Sequence, residues 1–413
     1  MYYITDLHIH SKYSRATSSK MDLEHLDKAA QIKGIQVLGT GDFTHPLWFK
    51  ELKSKLKLVE EGIYQVKGSK CLTNFILTSE LSCIYTKNGR CRRIHLVFLA
   101  PSLEIVEKIN ETLGKRFNIK SDGRPILGID AEELTKIIFD ISSECFLICA
   151  HIWTPWFSLF GAKSGFNTVE ECFGKMSSSV YAMETGLSSD PPMNWRLSAL
   201  DKYTLLSNSD AHSLCNLGRE ANVFNLEKLT YSNLINAIKT KKGLEYTIEF
   251  FPEEGKYHLD GHRACGVKMT PQESEKNQNI CPKCHRPLTI GVLHRVNELA
   301  DRPEGFVPPK AIPFKSIVPL PELISEIKGV GPKSKAVQRE YDALISKGKN
   351  EFNILLNLSQ KELEKISSPE LALSIIKMRK GEVIKEEGYD GVYGKIMVNG
   401  LENKKNFSQK KLF

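Results

Sequence analysis

Histidine and acidic side chains recur at the ends of short apolar segments in the first half of the chain. His8 and His10 alternate in a segment with strand character, so their side chains are expected on the same side of the backbone. The same association with apolar segments is found for Asp42, His45, Glu80, His95, His151, Asp210 and His212. Isolated histidines of this kind could be ordinary buried polar groups, but the repetition favours a metal centre. We expect two or three divalent ions there, of zinc, manganese or magnesium.

A centre of this composition is suited to the hydrolysis of phosphate esters. Two ions about 4 Å apart can generate a hydroxide from water near neutral pH and stabilise the departing oxygen of an in-line displacement. The sequence shows no serine nucleophile elbow, Walker loop or dinucleotide fingerprint that would predict other chemistry. We therefore expect attack by metal-bound hydroxide without a side-chain nucleophile. The catalytic residues are predicted to be His8, His10, Asp210 and His212.

Short β-type segments alternate with helical patterns over the first 250 residues. Helices are predicted over 21–33, 169–176, 192–201 and 226–241, and strands over 6–10 and 35–39, with a hairpin turn at Asn88-Gly89. This alternation predicts an α/β fold with a largely parallel sheet, either open or closed into a barrel. Active sites of such folds lie at the carboxyl ends of the strands, where the histidines and acids are found.

A second group of metal-binding residue types follows residue 250. A Cys-x-x-Cys pair and a His-x-x-Cys pair can each hold one side of a tetrahedral zinc ion. The predicted ligands are His262, Cys265, Cys281 and Cys284, with His258 or His285 as alternatives to His262. A disulfide is not expected in a reducing compartment, so a structural zinc is favoured over plain buried thiols. We predict one structural zinc that helps to fold a module over residues 251–305.

The charge distribution favours a polyanionic partner. The 413 residues include 57 Lys and Arg against 49 Asp and Glu, which gives a net charge of +8. Lysines are concentrated after about residue 320 and in the tail. The sequence shows neither a signal-peptide pattern nor an apolar segment of bilayer length, so we expect a cytoplasmic protein without membrane partners.

The last third of the chain contains candidate nucleic-acid contacts. A Pro-rich connector over 306–320 precedes a helical region over 321–398. The Ile327–Lys335 segment predicts a turn like that of a helix-hairpin-helix element, where Lys333 and Lys335 could contact phosphate, although a plain helix–helix turn is the alternative. Lys12 and Arg15, directly after His10, are further candidates for phosphate contacts.

Residues 399–413 form a basic tail. Gln409, Leu412 and Phe413 resemble the short motif with which bacterial repair and replication proteins bind the sliding clamp. An unstructured lysine-rich terminus is the alternative. The sliding clamp is therefore a predicted partner.

The barrel residues resemble the signatures of polymerase and histidinol phosphatase (PHP) domains. The similar elements are His8-x-His10, the 42–45 stretch, Glu80, His95, His151 and Asp210-x-His212. This resemblance implies a distorted seven-stranded β/α barrel over residues 1–250 with up to three metal ions. Asp42 and His45 are separated by two residues, whereas many PHP domains have adjacent Asp and His.

The wider pattern resembles the endonuclease Q family of DNA-repair nucleases. The segments concerned are Glu184-Thr-Gly-Leu-Ser-Ser-Asp-Pro, Asn194-Trp-Arg196, Cys281-Pro-x-Cys284 and 388–394. The resemblance implies cleavage on the 5′ side of uracil, hypoxanthine, xanthine and abasic sites, leaving a 3′-hydroxyl and a 5′-phosphate. Such an enzyme normally takes the damaged base into a pocket. The candidate wall residues are Trp153, Trp156, Phe157, Trp195 and Arg196.

Two other functions fit parts of the pattern. One is a PHP phosphatase that acts on a small phosphate monoester, for which the Cys-rich module and the basic tail would be unnecessary. The other is a non-catalytic DNA-binding protein associated with the clamp. The large set of candidate ligands at strand ends argues against the second.

Overall fold

Short strands and helices alternate along residues 1–398, which are the residues described by the computed structural model. The strands are Tyr2–Asp6 (β1), Val37–Gly39 (β2), Leu56–Glu60 (β3), Ile63–Val66 (β4), Asn74–Lys87 (β5), Arg90–Ala100 (β6), Ile126–Leu127 (β7), Phe146–Cys149 (β8), Ala182–Glu184 (β9), Thr204–Leu206 (β10), Ala221–Asn225 (β11), Leu244–Glu249 (β12), Asp260–His262 (β13), Val267–Met269 (β14), Phe314–Ser316 (β15), Ile384–Glu386 (β16) and Lys395–Met397 (β17). The helices are Leu23–Lys33 (α1), Pro46–Lys55 (α2), Leu103–Gly114 (α3), Ala131–Ile141 (α4), Val169–Phe173 (α5), Pro191–Trp195 (α6), Tyr231–Thr240 (α7), Pro271–Lys276 (α8), Val292–Leu299 (α9), Leu320–Lys328 (α10), Lys335–Gly348 (α11), Gln360–Ile366 (α12) and Pro369–Arg379 (α13).

A curled sheet of 13 strands forms the centre of the fold. Its main path runs β10-β9-β8-β6-β5-β2-β1-β11-β12-β15. Off this path, β4 and β7 pair with β5, and β3 pairs with β4. The curl brings the two halves of the path together, because a bridge between Ile9 and Ala211 joins the residues that follow β1 and β10. The α/β class and the barrel-like sheet are thus as predicted, with more strands than seven because short strands are added at the margins.

The expectation of a largely parallel sheet is wrong. Antiparallel pairs join β1 to β11, β11 to β12, β5 to β6 and β6 to β8, whereas β1–β2, β2–β5, β8–β9 and β9–β10 are parallel. The β5–β6 pair is antiparallel because the predicted Asn88-Gly89 turn connects its strands, and a two-residue connection can only reverse the chain. The sheet is therefore mixed.

The helix predictions are most accurate where a cap defines the end. Asp22 accepts a hydrogen bond from the backbone N of His25 at 3.0 Å, and Gly34 has a left-handed φ of 88°, so α1 begins and ends close to the predicted bounds. The helix predicted over 226–241 begins later, because Thr230 is its N-cap and accepts from Asn233 N. The helices predicted over 169–176 and 192–201 are each divided into a short α-helix and a 3₁₀ turn.

The C-terminal helices pack against the barrel rather than standing apart from it. Strand β15, within the predicted connector, pairs with β12 and so belongs to the central sheet. The buried Lys33 Nζ lies 2.7 Å from Glu351 Oε2, and the hydroxyl of Tyr341 donates to the same oxygen at 2.7 Å. These contacts connect α1 of the barrel to the region that contains α10–α13. No helix within residues 1–398 is long and apolar enough to cross a membrane.

Candidate metal centre

The predicted ligands of the first group come from several strands of the curled sheet. Strand β1 ends at Asp6, so the expectation that His8 and His10 lie inside a strand is corrected: they follow β1 in an extended segment with one bridge at Ile9. The residues that follow other strands are Asp42 (β2), His151 (β8) and Asp210 (β10), whereas Glu80 and His95 lie within the long β5 and β6. The curl of the sheet brings their side chains together.

Glu80 is the residue shared by two groups of potential metal ligands. Its Oε2 lies 3.2 Å from His10 Nε2 and 3.5 Å from His8 Nε2. Its Oε1 lies 2.7 Å from His95 Nδ1 and 3.2 Å from His151 Nε2. A carboxylate with one oxygen towards each pair of imidazoles is placed to bridge two ions.

Asp210 completes the first group. Its Oδ1 lies 3.0 Å from His10 Nε2 and 3.7 Å from His8 Nε2. These three buried atoms make no hydrogen bond within the described residues, and unpaired buried polar atoms are rare without a ligand. The donors of His8, His10, Glu80 and Asp210 form one candidate metal site, and those of Glu80, His95 and His151 form a second. This mixture of imidazole nitrogens and carboxylate oxygens fits zinc or manganese.

Burial and charge perturb the titration of these groups. Burial opposes protonation of His8, but Glu184 and Glu80 outweigh it and hold the pKa of His8 well above its usual value. Burial outweighs the effect of Glu80 on His95, whose pKa falls to about 4. Burial also disfavours ionised Glu80, but His95 and Arg124 hold its pKa well below the usual range. A bound divalent ion would replace the protons of such imidazoles and favour the ionised carboxylates.

Three predicted ligands, Asp42, His45 and His212, border these two groups without belonging to them. Asp42 accepts from His10 Nδ1 at 2.9 Å, which directs His10 Nε2 towards Glu80 and Asp210. His45 stacks on the ring of Tyr13 with centroids 4.5 Å apart. The His212 ring lies 4.4 Å from that of His10, and its Nδ1 is 2.9 Å from the backbone oxygen of Asp210.

Glu184 at the end of β9 was not among the predicted site residues. Its two carboxylate oxygens lie 3.1 and 3.0 Å from His8 Nδ1, and the same side chain accepts from the backbone N of His151 at 2.8 Å. It thereby orients a ligand of each group. The sequence signal was available, since Glu184 follows a short apolar run as the predicted ligands do.

The backbone is strained at three of these positions. Asp42, His151 and Asp210 have φ values of 51°, 27° and 46°. Left-handed φ values are uncommon for residues other than glycine, and such strain is concentrated at functional sites. From these positions Asp42 and Asp210 contact His10, and His151 contacts Glu80.

Arg124 was also missed, because its neighbours in the sequence give no sign of a site. Its Nη1 donates to Glu80 Oε2 at 3.1 Å. The residue lies just before β7, and the pairing of β7 with β5 brings it close to Glu80. It adds a positive charge to the rim of the first group.

The predicted DNA contacts lie in several parts of the surface. Lys12 pairs with Glu51 at 2.9 Å and Arg15 with Asp122 at 3.2 Å. Lys333 lies in the exposed connection between α10 and α11, and Lys335 is the first residue of α11, so a turn between two helices is present at the predicted position. Among the remaining candidates, the Trp156 ring contacts that of Tyr257. Trp195 borders a cavity of about 300 Å³, and Arg196 borders another of about 790 Å³.

The Cys-rich segment forms a compact group of four ligands. One donor atom from each of His262, Cys265, Cys281 and Cys284 lies within 4.8 Å of the other three. The alternatives His258 and His285 do not belong to this group. Four donors dominated by sulfur fit a closed tetrahedral zinc site. The predicted clamp-binding residues Gln409, Leu412 and Phe413 lie outside the described residues.

Sequence comparisons identify relatives of the whole chain and of parts of it. The family described as the MJ0043 C-terminal domain matches residues 319–382. The protein YqxK of Bacillus subtilis (strain 168) is 30% identical over 408 residues, which cover 95% of this chain and 98% of YqxK. The protein MJ0043 of Methanocaldococcus jannaschii is 35% identical over 254 residues, which cover 59% of this chain but only 31% of MJ0043.

Two solved structures share the fold over nearly the full length. The lesion-specific endonuclease PfuEndoQ from Pyrococcus furiosus superposes with a TM-score of 0.86 at 32% identity, covering 96% of both chains. An endonuclease Q in complex with a 27-mer duplex substrate, with an abasic lesion at the active site, gives a TM-score of 0.85 at 30% identity and covers 98% of this chain and 100% of that chain. This chain therefore belongs to the endonuclease Q family.

Proposed function

We propose that this protein is a metal-dependent DNA-repair endonuclease that hydrolyses the phosphodiester bond on the 5′ side of a damaged nucleotide. The observation that carries the proposal is the pair of candidate metal sites joined by Glu80, within a fold shared along its length with endonuclease Q bound to an abasic duplex. The proposed lesions are abasic sites and the deaminated bases uracil, hypoxanthine and xanthine.

The reaction needs water, a phosphodiester and two divalent ions. An oxygen–phosphorus bond forms from water, the bond from phosphorus to the 3′ oxygen breaks, and that oxygen takes a proton to give a 3′-hydroxyl and a 5′-phosphate. The ions, when bound, would acidify the attacking water and stabilise the leaving oxygen. His8, His10, Glu80 and Asp210 would hold one ion, and Glu80, His95 and His151 the other, with His45 and His212 adjacent as candidates for a third.

The other parts of the chain are assigned to substrate binding. We propose that the group of His262, Cys265, Cys281 and Cys284 holds one structural zinc, which fixes a module over residues 251–305. The exposed turn with Lys333 and Lys335 would contact the DNA backbone, with Lys12, Arg15, Trp156, Trp195 and Arg196 as further contacts. Docking of the basic tail to a sliding clamp is part of the same proposal.

A cleavage assay tests the proposal directly. End-labelled duplexes with one uracil, one hypoxanthine, one abasic site or no lesion are incubated with manganese, magnesium or zinc, and with a chelator as control. We expect metal-dependent nicking directly 5′ of the lesion and none of undamaged DNA. If no duplex is cut with any metal while small phosphate monoesters are hydrolysed, the phosphatase function is correct instead.

A further inference from the structure

We infer that Arg124 is a further catalytic residue, which binds a non-bridging oxygen of the scissile phosphate. This inference rests on the proposed function and deepens it. Its starting point is the 3.1 Å hydrogen bond from Arg124 Nη1 to Glu80 Oε2, which places a permanent positive charge at the residue shared by both candidate metal sites. Arginine stays protonated at any pH at which the protein is folded.

The position of Arg124 relative to solvent suits contact with a substrate. The Glu80 side chain is fully buried, whereas that of Arg124 is 28% exposed. The guanidinium group therefore lies between the metal-binding carboxylate and the exterior. A phosphodiester that approaches these side chains from solvent would meet the guanidinium at the edge of the site.

Arg124 also has donors to spare. Among residues 1–398, its guanidinium group donates to one acceptor, Glu80, and does so through Nη1. The Nε–H group and the Nη2 amino group remain for another acceptor. A planar guanidinium can hold a carboxylate with one edge while its other donors face a phosphate oxygen.

The backbone around Arg124 is held firmly on both sides. A Cβ atom on Gly123 would lie 2.3 Å from Asp42 Oδ2 and 2.5 Å from Ser14 Oγ, so only glycine allows this close approach. Gly123 N donates to Tyr13 O at 3.0 Å, and Pro125 O accepts from Ser82 N at 3.1 Å. The loop thus packs on Asp42, the residue that orients His10. Arg124 is therefore positioned by the same packing as the metal ligands.

Other cations near the site are less suited to this role. Lys12 is paired with Glu51, and Arg15, paired with Asp122, has a 78% exposed side chain. Within residues 1–398, Arg124 is the only Lys or Arg that forms an ion pair with a residue of the two candidate metal sites in the barrel. Negative charge on the phosphate oxygens changes during displacement, and a fixed guanidinium can stabilise that change without reorganisation.

The test compares Arg124→Gln and Arg124→Lys with wild type on the lesion duplex that the wild-type protein cuts. Rates are measured in single turnover, so that product release does not mask the chemical step. We expect Arg124→Gln to slow cleavage by about 10²-fold or more, and Arg124→Lys to slow it less, because the charge remains. Arg116→Gln is the matched control, since Arg116 pairs with Glu133 at the exposed end of the same loop.

Two further measurements separate a phosphate contact from support of Glu80 alone. Bound metal per chain, measured by mass spectrometry, should be the same in wild type and Arg124→Gln. In substrates with sulfur in place of one non-bridging oxygen, the rate ratio of wild type to Arg124→Gln should shrink by about tenfold for one diastereomer. If Arg124→Gln loses metal, the same substrate comparison is made with Arg124→Lys.

The outcomes distinguish this inference from the proposed function. Equal rate ratios on oxygen and on both sulfur substrates would show that Arg124 only supports Glu80, and the inference would be overturned while the endonuclease function stands. Normal cleavage by Arg124→Gln would show that Arg124 is not needed for the reaction, which would also overturn the inference. Failure of wild type to cut any lesion duplex would refute the proposed function itself, and the phosphate contact with it.

Discussion

The two groups of metal-binding side chains differ in how far apart their residues lie in the sequence. The Cys-rich group takes its four ligands from residues 262–284, whereas the barrel group collects residues from His8 to Asp210. The first can form as soon as one short segment meets its ion, and it contains no carboxylate. The second requires a nearly complete sheet and combines imidazoles with the carboxylates of Asp210 and of Glu80, which is shared by the two candidate sites. This difference fits the roles proposed for them, local folding for the first group and chemistry for the second.

Replacing Asp210 by Asn should have the largest effect on activity. The change removes an anionic ligand atom from the barrel group while it preserves the size of the side chain. We expect cleavage of the lesion duplex to be abolished, with little change in DNA binding measured by fluorescence anisotropy. An exposed acid of the barrel, Glu170, gives the control variant Glu170→Gln. If Asp210→Asn cleaves as fast as wild type, Asp210 is not a required ligand of the metal centre.

Replacing Cys281 by Ser tests the other side of the comparison. Cys281 is fully buried in the Cys-rich group, so we expect one zinc per chain to be lost and residues 251–305 to become sensitive to proteolysis. DNA binding should weaken, while the metal content of the barrel group stays the same. Cys91 is exposed, and Cys91→Ser should change none of these quantities. Unchanged zinc content in Cys281→Ser would contradict a structural zinc.

Replacing Glu184 by Gln should give an intermediate effect, because Glu184 acts through His8 and the backbone of His151. We expect the affinity of the barrel group for metal to fall by about 10–100-fold. Titration of the metal-free protein with manganese, followed by calorimetry, measures this change. High metal concentration should restore most of the cleavage. Failure of metal to restore activity would indicate that Glu184 does more than orient His8 and His151.

The smallest expected effect concerns a buried pair in the second module. His294 Nδ1 lies 2.5 Å from Asp260 Oδ2, and this hydrogen bond raises the pKa of His294 above its usual value of 6.5. The stabilisation is complete below the unfolded pKa and is lost as the pH rises through the folded one. We expect protease resistance of the module to decline above pH 6.5 in wild type and to vary less with pH in His294→Gln. Equal pH profiles would show that the pair does not titrate in this range.

Sequence patterns predicted those features that depend on nearby residues. The caps of α1, the Asn88-Gly89 hairpin and the pairs of Cys-rich ligands are each specified by residues that are close together in the sequence. The candidate ligands of the barrel could also be identified from the sequence, because most of them follow short apolar segments, although Glu80 and His95 lie within β5 and β6 in the structure.

Features that depend on the order of strands could not be predicted in the same way. The antiparallel pairing of β1 with β11 joins segments that are more than 200 residues apart in the sequence, for example Tyr2 and Asn225. No local sequence pattern specifies this pairing. The position of Asp42 beside His10 depends in the same way on the pairing of β2 with β1, and that of Arg124 beside Glu80 on the pairing of β7 with β5. The helix predicted over 192–201 begins at Pro191 because Asp190 is its N-cap and accepts a hydrogen bond from the backbone N of Met193.

The central place of β1 in the sheet has a consequence for synthesis of the protein. Tyr2 pairs with Asn225, so β1 has a partner on one side only until β11 has also been synthesised. At about 5–20 residues per second, that interval lasts at least ten seconds or so. During this time one edge of β1, and the segment with His8 and His10 that follows it, lack their partners in the folded sheet. We expect nascent chains to need chaperones in this interval, and the metal ions to bind only after the barrel is closed.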